Sequence, residues 1–289
     1  MFVTSHPSAA PALVEFIERY PRLFVLTGAG CSTDSGIPDY RDDEGEWKRP
    51  TRPIMIQEFM TSERARKRYW ARSLVGFRRM IDARPNEAHH ALARLESSGR
   101  VAQLVTQNVD GLHQAAGSRT VIDLHGRIDV VRCLQCERRL SREHLQLEME
   151  RRNPAFAALD ALEAPDGDAD LEGARFESFD LPACDACGGL LKPDVVFFGE
   201  NVPRDRVHQA MAALDVSDAM LVVGSSLMVY SGYRFAQAAA QAGKPIAAVN
   251  LGSTRADDLL TLKVRERCAD ALSFLLDSTG REAAARVYI

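Results

Sequence analysis

The sequence predicts an α/β protein built on a doubly wound parallel sheet, with a smaller cysteine-bearing module and a helical insertion. Short apolar runs alternate with amphipathic helical patterns, which is typical of parallel sheets covered by helices. The apolar runs end in glycines or small polar residues. Two C-x-x-C pairs and an arginine-rich helical stretch interrupt this alternation.

Four strands are predicted from the apolar runs. They are Leu23–Thr27, Val101–Thr106, Ala219–Gly224 and Pro245–Asn250. They end in TGAG, TQNVDG, VGSS and VNLG. Because parallel sheets bind ligands at the carboxyl ends of their strands, these four loops predict one convergent site.

Helical patterns lie between or beside the strands. They are Ala12–Tyr20, Asn86–Ser97, Arg204–Leu214 and Tyr233–Ala242. The second follows Pro85 and stops before Gly99, a typical start and stop. Strands and helices together predict a Rossmann-like nucleotide-binding domain made of residues 1–44, 85–126 and 199–289.

Two stretches are predicted as insertions into this domain. Residues 45–84 are rich in arginine, aromatic residues and methionine, and they predict a helical insertion. Residues 127–198 hold both cysteine pairs and predict a zinc-binding module. Within that module the acidic tract Ala164–Gly173 is expected to be a surface loop.

Composition excludes several classes of function. The formal net charge of −4 gives no support for binding to nucleic acid or to anionic lipid. No run of about 18 apolar residues is present, so no membrane span is expected. The N-terminus lacks the pattern of a secretory signal, which predicts a cytoplasmic protein.

The run from Leu23 to Arg41, LFVLTGAGCSTDSGIPDYR, predicts a dinucleotide site of unusual type. A strand that enters a glycine turn and a helix start brings free N–H groups close to a pyrophosphate. The usual fingerprint has a third glycine where this chain has Thr33. The run therefore differs from the ordinary dehydrogenase type, and its tail from Gly36 onward is an additional feature.

The two cysteine pairs predict a metal site. Their members are Cys133, Cys136, Cys184 and Cys187. Four thiolates suit tetrahedral zinc and leave no open position, so the zinc is expected to be structural. A redox dithiol or unpaired buried cysteines are the alternatives. Cys31 and Cys268 fall outside this pattern.

Polar residues after the second strand suggest ligand contacts. Gln107, Asn108 and Asp110 supply two amides and a carboxylate at one strand end, and His125 follows in an LHG turn. A histidine there suits a base near neutral pH, although satisfied structural histidines are common. A structural role is the expectation for His89, His90 and His113.

These segments together resemble the sirtuins, the NAD-dependent protein lysine deacylases. The matching motifs are GAGCSTDSGIPDYR, TQNVDGLH, LHG, the two C-x-x-C pairs, KPDVVFFGE, VGSSLMVYS and VNLG, in the family's order between residues 24 and 268. The Tyr40 form of the first motif, GSSLMVYSGYRF and TRADD look most like the class II, mitochondrial-type branch. The chain is similar to a bacterial member of that branch.

The resemblance implies roles for individual residues. NAD would be held by Gly28, Ala29, Gly30, Asp39, Tyr40, Arg41, Gln107, Asn108, Asp110, Gly224, Ser225, Ser226, Asn250, Leu251 and Cys268. His125 would be the catalytic base, and Asn108 would help to place a water. An acyl-lysine protein or peptide would be the partner, lying as an added strand beside Val196, Phe197 and Phe198.

The implied reaction consumes NAD. The acyl oxygen of the substrate lysine attacks the ribose carbon as nicotinamide leaves, and His125 takes a proton from a ribose hydroxyl. Water completes the reaction, which gives free lysine and O-acyl-ADP-ribose. The loop from Gly36 to Trp47 would close over the pocket in which the glycosidic bond breaks.

The preferred acyl group is less defined. The family's desuccinylases carry a Tyr-x-x-Arg pair, and Ser73 and Gly76 occupy those positions here, while Tyr69 and Arg72 lie one turn earlier. We therefore expect weak desuccinylase activity. Two small residues at that wall suit a longer or branched acyl chain, and the resemblance allows lipoyl, glutaryl-type or acetyl substrates.

Two other functions compete with deacylation. A protein mono-ADP-ribosyltransferase would share the NAD contacts but deliver ADP-ribose to a protein. A non-catalytic zinc module that binds nucleic acid or protein has the basic segment Arg64–Arg79 in its favour. The acidic balance elsewhere and the complete set of strand-end loops argue against the second.

Overall fold

The computed structural model describes residues 10–40, 53–159, 171 and 175–276. Its strands are β1 (Leu23–Thr27), β2 (Val101–Thr106), β3 (Val121–Asp123), β4 (Gly126–Cys133), β5 (Arg139–Ser141), β6 (Leu191–Val195), β7 (Ala219–Val223), β8 (Ile246–Val249) and β9 (Leu262–Val264). Its helices are α1 (Ala10–Arg19), α2 (Ile56–Thr61), α3 (Glu63–Asp82), α4 (Glu87–Ser97), α5 (Leu112–Ala115), α6 (Arg142–Arg152), α7 (Pro154–Ala157), α8 (Arg204–Asp215), α9 (Tyr230–Gln241) and α10 (Cys268–Leu272).

Six parallel strands form the main sheet, in the order β3-β2-β1-β7-β8-β9. Every residue of β1, β7 and β8 is buried, as expected for strands covered on both faces. Alternate residues of β1 enter two apolar clusters, one with α1, α4 and α10 and the other with α8 and α9. The predicted doubly wound architecture is confirmed.

Two features of this sheet differ from the sequence prediction. Its edge strands β3 and β9 were not predicted, because three residues are too few to show a period. Helix α9 begins at Tyr230, three residues before the predicted start at Tyr233. The earlier start brings Ser231 and Gly232 into the first turn of the helix.

A second, antiparallel sheet of three strands in the order β5-β4-β6 forms the core of the cysteine module. Helix α6 packs on it, and the long helix α3 packs on α6 and α7. Trp70 of α3 shares one apolar cluster with Val131, Met149 and Phe179 of the module. The two insertions are therefore joined by a common core.

Among the described residues, no helix combines the length and apolar character needed to cross a membrane. Arg41, Gly45 and Trp47, which the sequence analysis assigned to a closing loop, lie outside the described residues. So does the acidic tract Ala164–Gly173, apart from Leu171.

Candidate active site

Glycines allow two strand-end loops to cross at the carboxyl edge of the main sheet. The amide of Gly28 donates to Val223 O at 3.1 Å, and that of Gly30 donates to Gly224 O at 2.9 Å. A Cβ on Gly28 would lie 2.7 Å from Ser225 Cβ, and one on Gly224, at φ +63°, would lie 2.2 Å from Cys31 N. Side chains are therefore excluded at these glycines, and the two loops pass with their backbones in direct contact.

A hydrogen-bond network ties this turn to the loop after β2. The Asn108 Nδ2 group donates to Gly28 O at 3.1 Å and to Ser32 Oγ at 3.0 Å. The Ser32 hydroxyl then donates to Asp110 Oδ2 at 2.7 Å. Ser32 was not among the predicted site residues, although it follows GAGC directly in the chain.

Burial raises the pKa of Asp110, while hydrogen bonds from the Leu112 amide and the Ser32 hydroxyl act against that rise. The Leu112 amide donates to Asp110 Oδ1 at 2.9 Å. The carboxylate is thus fixed at both oxygens beside Asn108. The side chains of Asn108 and Asp110, both predicted to contact the ligand, are therefore held in fixed positions relative to each other.

Gln107 connects β2 to the end of β7 and to α9. Its Oε1 accepts from the Ser225 hydroxyl at 2.7 Å. A Cβ on Gly232 would lie 2.6 Å from its Nε2, so a side chain at residue 232 would displace the Gln107 amide group. Ser225 also accepts from the Leu227 amide at 3.2 Å.

His125 lies between β3 and β4, beside the same residues. Its Nδ1 is 2.9 Å from Gln107 O and its Nε2 is 2.8 Å from Ser231 Oγ. Since a carbonyl only accepts, Nδ1 carries the proton and Nε2 is the basic nitrogen. Burial lowers the pKa of His125 to about 4, with Arg206 and Arg234 adding to the shift and the Gln107 carbonyl opposing it. The ring is therefore neutral at pH 7, with the lone pair on Nε2.

The predicted substrate segment begins next to this histidine. The Val196 amide donates to the His125 carbonyl at 2.8 Å, directly after β6 ends. Phe197 is buried against Phe59 and Tyr69, so its ring belongs to the module core. Phe198 is half-buried, and its ring centroid lies 6.2 Å from that of Tyr40.

The other predicted cofactor residues lie along the same edge of the sheet. Ala29 and Asp39 lie in the segment after β1, and Ser226 follows β7. Asn250 and Leu251 follow β8, where Asn250 Nδ2 donates to Gly252 O at 3.1 Å. Cys268 starts α10 and is buried, which raises its pKa to about 12. All described members of the predicted set lie on the edge formed by the strands' carboxyl ends or in segments leading from it.

The four module cysteines converge as the spacing predicts. Cys133 Sγ lies 3.5 Å from Cys187 Sγ, and Cys136 Sγ lies 3.7 Å from Cys184 Sγ. Tetrahedral zinc with Zn–S bonds of about 2.3 Å places its sulfurs about 3.8 Å apart, so the distances fit this ion. A Cβ on Gly189 would lie 2.9 Å from Cys133 Sγ, so glycine is required for the turn to approach the sulfurs.

A second cluster, of Cys31, His89 and His113, also brings possible ligand atoms within 4.8 Å of one another. Its hydrogen bonds assign it a structural role. His89 Nδ1 accepts from the Asn86 amide in a capping box of α4, so its Nε2 carries the proton. His113 Nε2 lies 2.8 Å from Thr27 Oγ1. One imidazole lone pair and one thiol are left, fewer ligands than structural zinc takes.

Comparison with known proteins identifies the family. Residues 28–231 match the model of the Sir2 family. A protein of Xanthomonas campestris called "NAD-dependent protein deacetylase" is 67% identical over 265 residues, which are 92% of this chain and 90% of that protein.

Two further proteins extend the comparison. The Drosophila melanogaster protein "NAD-dependent protein deacylase Sirt4" is 46% identical, over 92% of this chain and 86% of its own length. The solved structure "Sir2-p53 peptide-NAD+" aligns with a TM-score of 0.74 at 31% identity, covering 95% of this chain and 98% of that one. The chain, with its glycine turn, half-buried histidine and four-cysteine cluster, therefore belongs to the Sir2 family.

Proposed function

We propose that this protein is an NAD-dependent protein lysine deacylase that releases nicotinamide and O-acyl-ADP-ribose. The relatives' names support a deacetylase, and NAD is the co-substrate of this family. The observation that carries the proposal is the position of His125. Its Nδ1 is held by the carbonyl of the predicted cofactor residue Gln107, which leaves Nε2 as the basic nitrogen, and its own carbonyl binds the first residue of the predicted substrate segment.

The proposed cofactor contacts follow from the two crossing loops. We assign the pyrophosphate to the turn of Gly28, Ala29 and Gly30, where a Cβ at Gly28 or Gly30 would meet residues 224 and 225 and glycine therefore lets the two loops approach closely. Asn108 and Asp110 supply the amide and the carboxyl group beside it. We assign the ribose and adenine sides to Gly224, Ser225, Ser226, Asn250, Leu251 and Cys268, and the covering side to Asp39, Tyr40 and Arg41.

The chemistry assigned to the chain's own residues is proton transfer and positioning. NAD supplies the ribose carbon that receives the acyl oxygen and the nicotinamide that leaves. His125 Nε2 accepts the proton of a ribose hydroxyl, while Nδ1–H stays bound to the Gln107 carbonyl. Asn108, fixed by its bonds to Gly28 and Ser32, holds the water position.

The peptide substrate and the metal ion are proposed to bind to different residues. Val196 and Phe198 are proposed to contact the acyl-lysine substrate, whereas Phe197 supports them from the module core. The zinc held by Cys133, Cys136, Cys184 and Cys187 is structural, because four sulfurs complete its coordination. Membership of the class II branch and a cytoplasmic location are parts of the same proposal.

Acetyl-lysine or a longer uncharged acyl-lysine is proposed as the preferred substrate. Ser73 is 2% exposed, and its carbonyl and hydroxyl oxygens accept from Arg142 Nη2 at 3.1 and 3.2 Å. Tyr69 packs its ring on Phe59 and Phe197. The family's tyrosine and arginine for succinyl groups are thus replaced by Ser73 and Gly76. A panel of acyl peptides tests this, and fastest turnover of succinyl-lysine would contradict it.

The proposed base is tested by His125→Ala, with His90→Ala on the exposed face of α4 as the matched control. We expect O-acyl-ADP-ribose formation to fall by about 10²- to 10⁴-fold in the first variant and to be unchanged in the second. Mass spectrometry of the products measures both. Full activity of His125→Ala would remove the histidine from this role.

The same product analysis decides between the two reactions left open by the sequence. O-acyl-ADP-ribose and free lysine identify deacylation, whereas a protein that gains ADP-ribose identifies mono-ADP-ribosyl transfer. The relatives' names support the first reaction.

A further inference from the structure

Ser231 contacts the basic nitrogen of His125. It is the second residue of α9, its side chain is buried, and its Oγ lies 2.8 Å from Nε2. Because Nδ1 donates to the Gln107 carbonyl, Nε2 of the neutral ring accepts, and the Ser231 hydroxyl is the donor. The imidazole is thus held at both nitrogens before any substrate binds.

The position of this serine is fixed by the packing of the helix start. A Cβ on the neighbouring Gly232 would lie 2.6 Å from Gln107 Nε2, and Gln107 Oε1 is held by Ser225. The Gly232 and Tyr233 amides both donate to Val229 O, which closes the first turn. The first turn of α9 therefore packs against Gln107, whose carbonyl orients His125.

We propose that Ser231 is a positioning residue for the base, an inference that rests on the proposed deacylase function. In the neutral ring Nε2 has one lone pair, and it accepts the hydrogen bond from Ser231. The ribose hydroxyl must therefore displace the Ser231 hydroxyl from this lone pair before it can donate its proton. After proton transfer Nε2–H becomes a donor, and the serine oxygen can accept from it. A single hydroxyl thus stabilises the ring in both protonation states.

Charge-assisted hydrogen bonds are stronger than neutral ones, so Ser231 stabilises the protonated ring more than the resting ring. Its loss should lower kcat, which includes the proton transfer, more than it raises KM for NAD or the acyl peptide. We expect Ser231→Ala to lower kcat about ten-fold, the loss of one hydrogen bond to a charged group. Ser231→Thr keeps the hydroxyl and should regain most of that loss.

The matched control is Ser217→Ala. Ser217 is also a buried serine, and its hydroxyl donates to Leu214 O at 2.7 Å. It lies before the start of β7, whereas the candidate active site lies at the carboxyl end of that strand. This variant removes a buried hydroxyl without touching His125. It should match the wild-type protein in kcat and KM.

The deciding measurement does not depend on turnover. In full-length protein labelled with ¹⁵N-histidine, NMR reports the tautomer of His125 and the hydrogen bond at Nε2. We expect the Nε2 resonance to move in Ser231→Ala, and to stay in Ser217→Ala and Ser231→Thr. An unmoved resonance, an unchanged kcat in Ser231→Ala, or equal losses in Ser217→Ala would overturn the inference. A wild-type protein that forms no O-acyl-ADP-ribose would instead remove the proposed function.

Discussion

The two parts of this molecule bury different kinds of polar group. Around the main sheet, the buried polar side chains of the described residues are neutral, such as Thr27, Thr106, His89 and His113. The buried cations of the described residues, Arg142 and Lys192, both lie in the cysteine module. The module also holds four sulfurs as a possible metal site.

The neutral groups of the sheet side bond one another, although the buried His113 Nδ1 has no hydrogen-bond partner among the described residues. Thr27 Oγ1 bonds both Thr106 Oγ1 and His113 Nε2 at 2.8 Å. A buried cation needs compensating partners, because its desolvation is expensive. Lys192 has Glu200 at 3.1 Å, and Arg142 has Gln146 Oε1 at 2.6 Å. The sheet edge is thus preorganised by its own hydrogen bonds, whereas the module depends on ions and charge pairs.

Arg142 illustrates how the module compensates a charge without a direct carboxylate bond. Its guanidinium lies 4.2 Å from the centre of the Phe77 ring and 5.5 Å from that of Trp70. Burial lowers its pKa to about 9, while Tyr69 and Glu150 act against the shift. The contact between the cation and α3 joins the module to the helical insertion.

Removal of zinc is the largest expected difference between the two parts. Structural zinc contributes about 10–16 kcal/mol to the folding of small metal-bound domains, and four cysteines here fit that ion. Stripping the metal with a chelator should therefore speed amide hydrogen exchange in β4, β5 and β6. Exchange in β1, β2 and β7 should change little.

Two cysteine variants provide the control for that experiment. Cys184→Ser removes a proposed ligand and should lower the zinc content from one ion per chain. Cys268→Ser makes the same change at a buried cysteine of α10, which packs on the main sheet, and should leave the zinc content unchanged. Unaltered exchange throughout β4–β6 in the metal-free protein would show that the module folds without zinc.

The sequence predicted the sheet side better than the module. The strands β1, β2, β7 and β8 were predicted within about two residues because each is a continuous apolar run between turn residues. The cysteine spacing predicted the metal cluster, since C-x-x-C constrains geometry locally. Most of the site residues predicted along the sheet edge were inferred from the chain's resemblance to sirtuins.

Other parts of the site depend on contacts between distant residues. Ser231 meets His125 across 106 positions, and Ser32 meets Asp110 across 78. No local pattern encodes such a pair. Arg142 also resembles a surface arginine in sequence, because α6 is mostly charged, and its burial arises only when α3 packs on it.

The next largest effect is expected at the Lys192–Glu200 pair beside the predicted substrate segment. Glu200 also accepts from the Phe197 amide at 2.9 Å, so the pair fixes the turn after β6. Glu200→Gln leaves a buried cation without its anion and should lower the free energy of unfolding by about 3 kcal/mol. Lys192→Met leaves the more exposed Glu200 unpaired and should lower the free energy of unfolding by about 1 kcal/mol.

A double-mutant cycle by urea unfolding measures this coupling. The combined variant should lose less free energy than the two single losses together, because neither then leaves an unpaired charge. Strict additivity would mean that the pair does not interact. Glu148 and Arg152, an exposed pair on α6 at 3.0 Å, provide the control cycle, with a coupling below about 1 kcal/mol.

The last prediction concerns the pH dependence of stability that the neutral histidines of the sheet side produce. Burial lowers the pKa of His89 to about 4 and that of His113 to about 3, below the ordinary value of 6.5. Below pH 6.5 the unfolded chain therefore binds protons that the folded chain does not. Each histidine's stabilisation is complete above pH 6.5 and falls by about 1.4 kcal/mol per pH unit below it, down to its folded pKa.

Urea unfolding between pH 7.5 and pH 5 measures this slope. His113→Gln should remove one histidine's share of the acid loss, whereas His90→Gln, on the exposed side of α4, should keep the wild-type slope. The raised pKa of Asp110 acts in the opposite direction, but it is common to both variants and cancels in their comparison. Equal slopes in the two variants would mean that His113 is protonated in the folded protein. That result would contradict the neutral network of Thr27, Thr106 and His113. It would also contradict the contrast between the sheet side and the module.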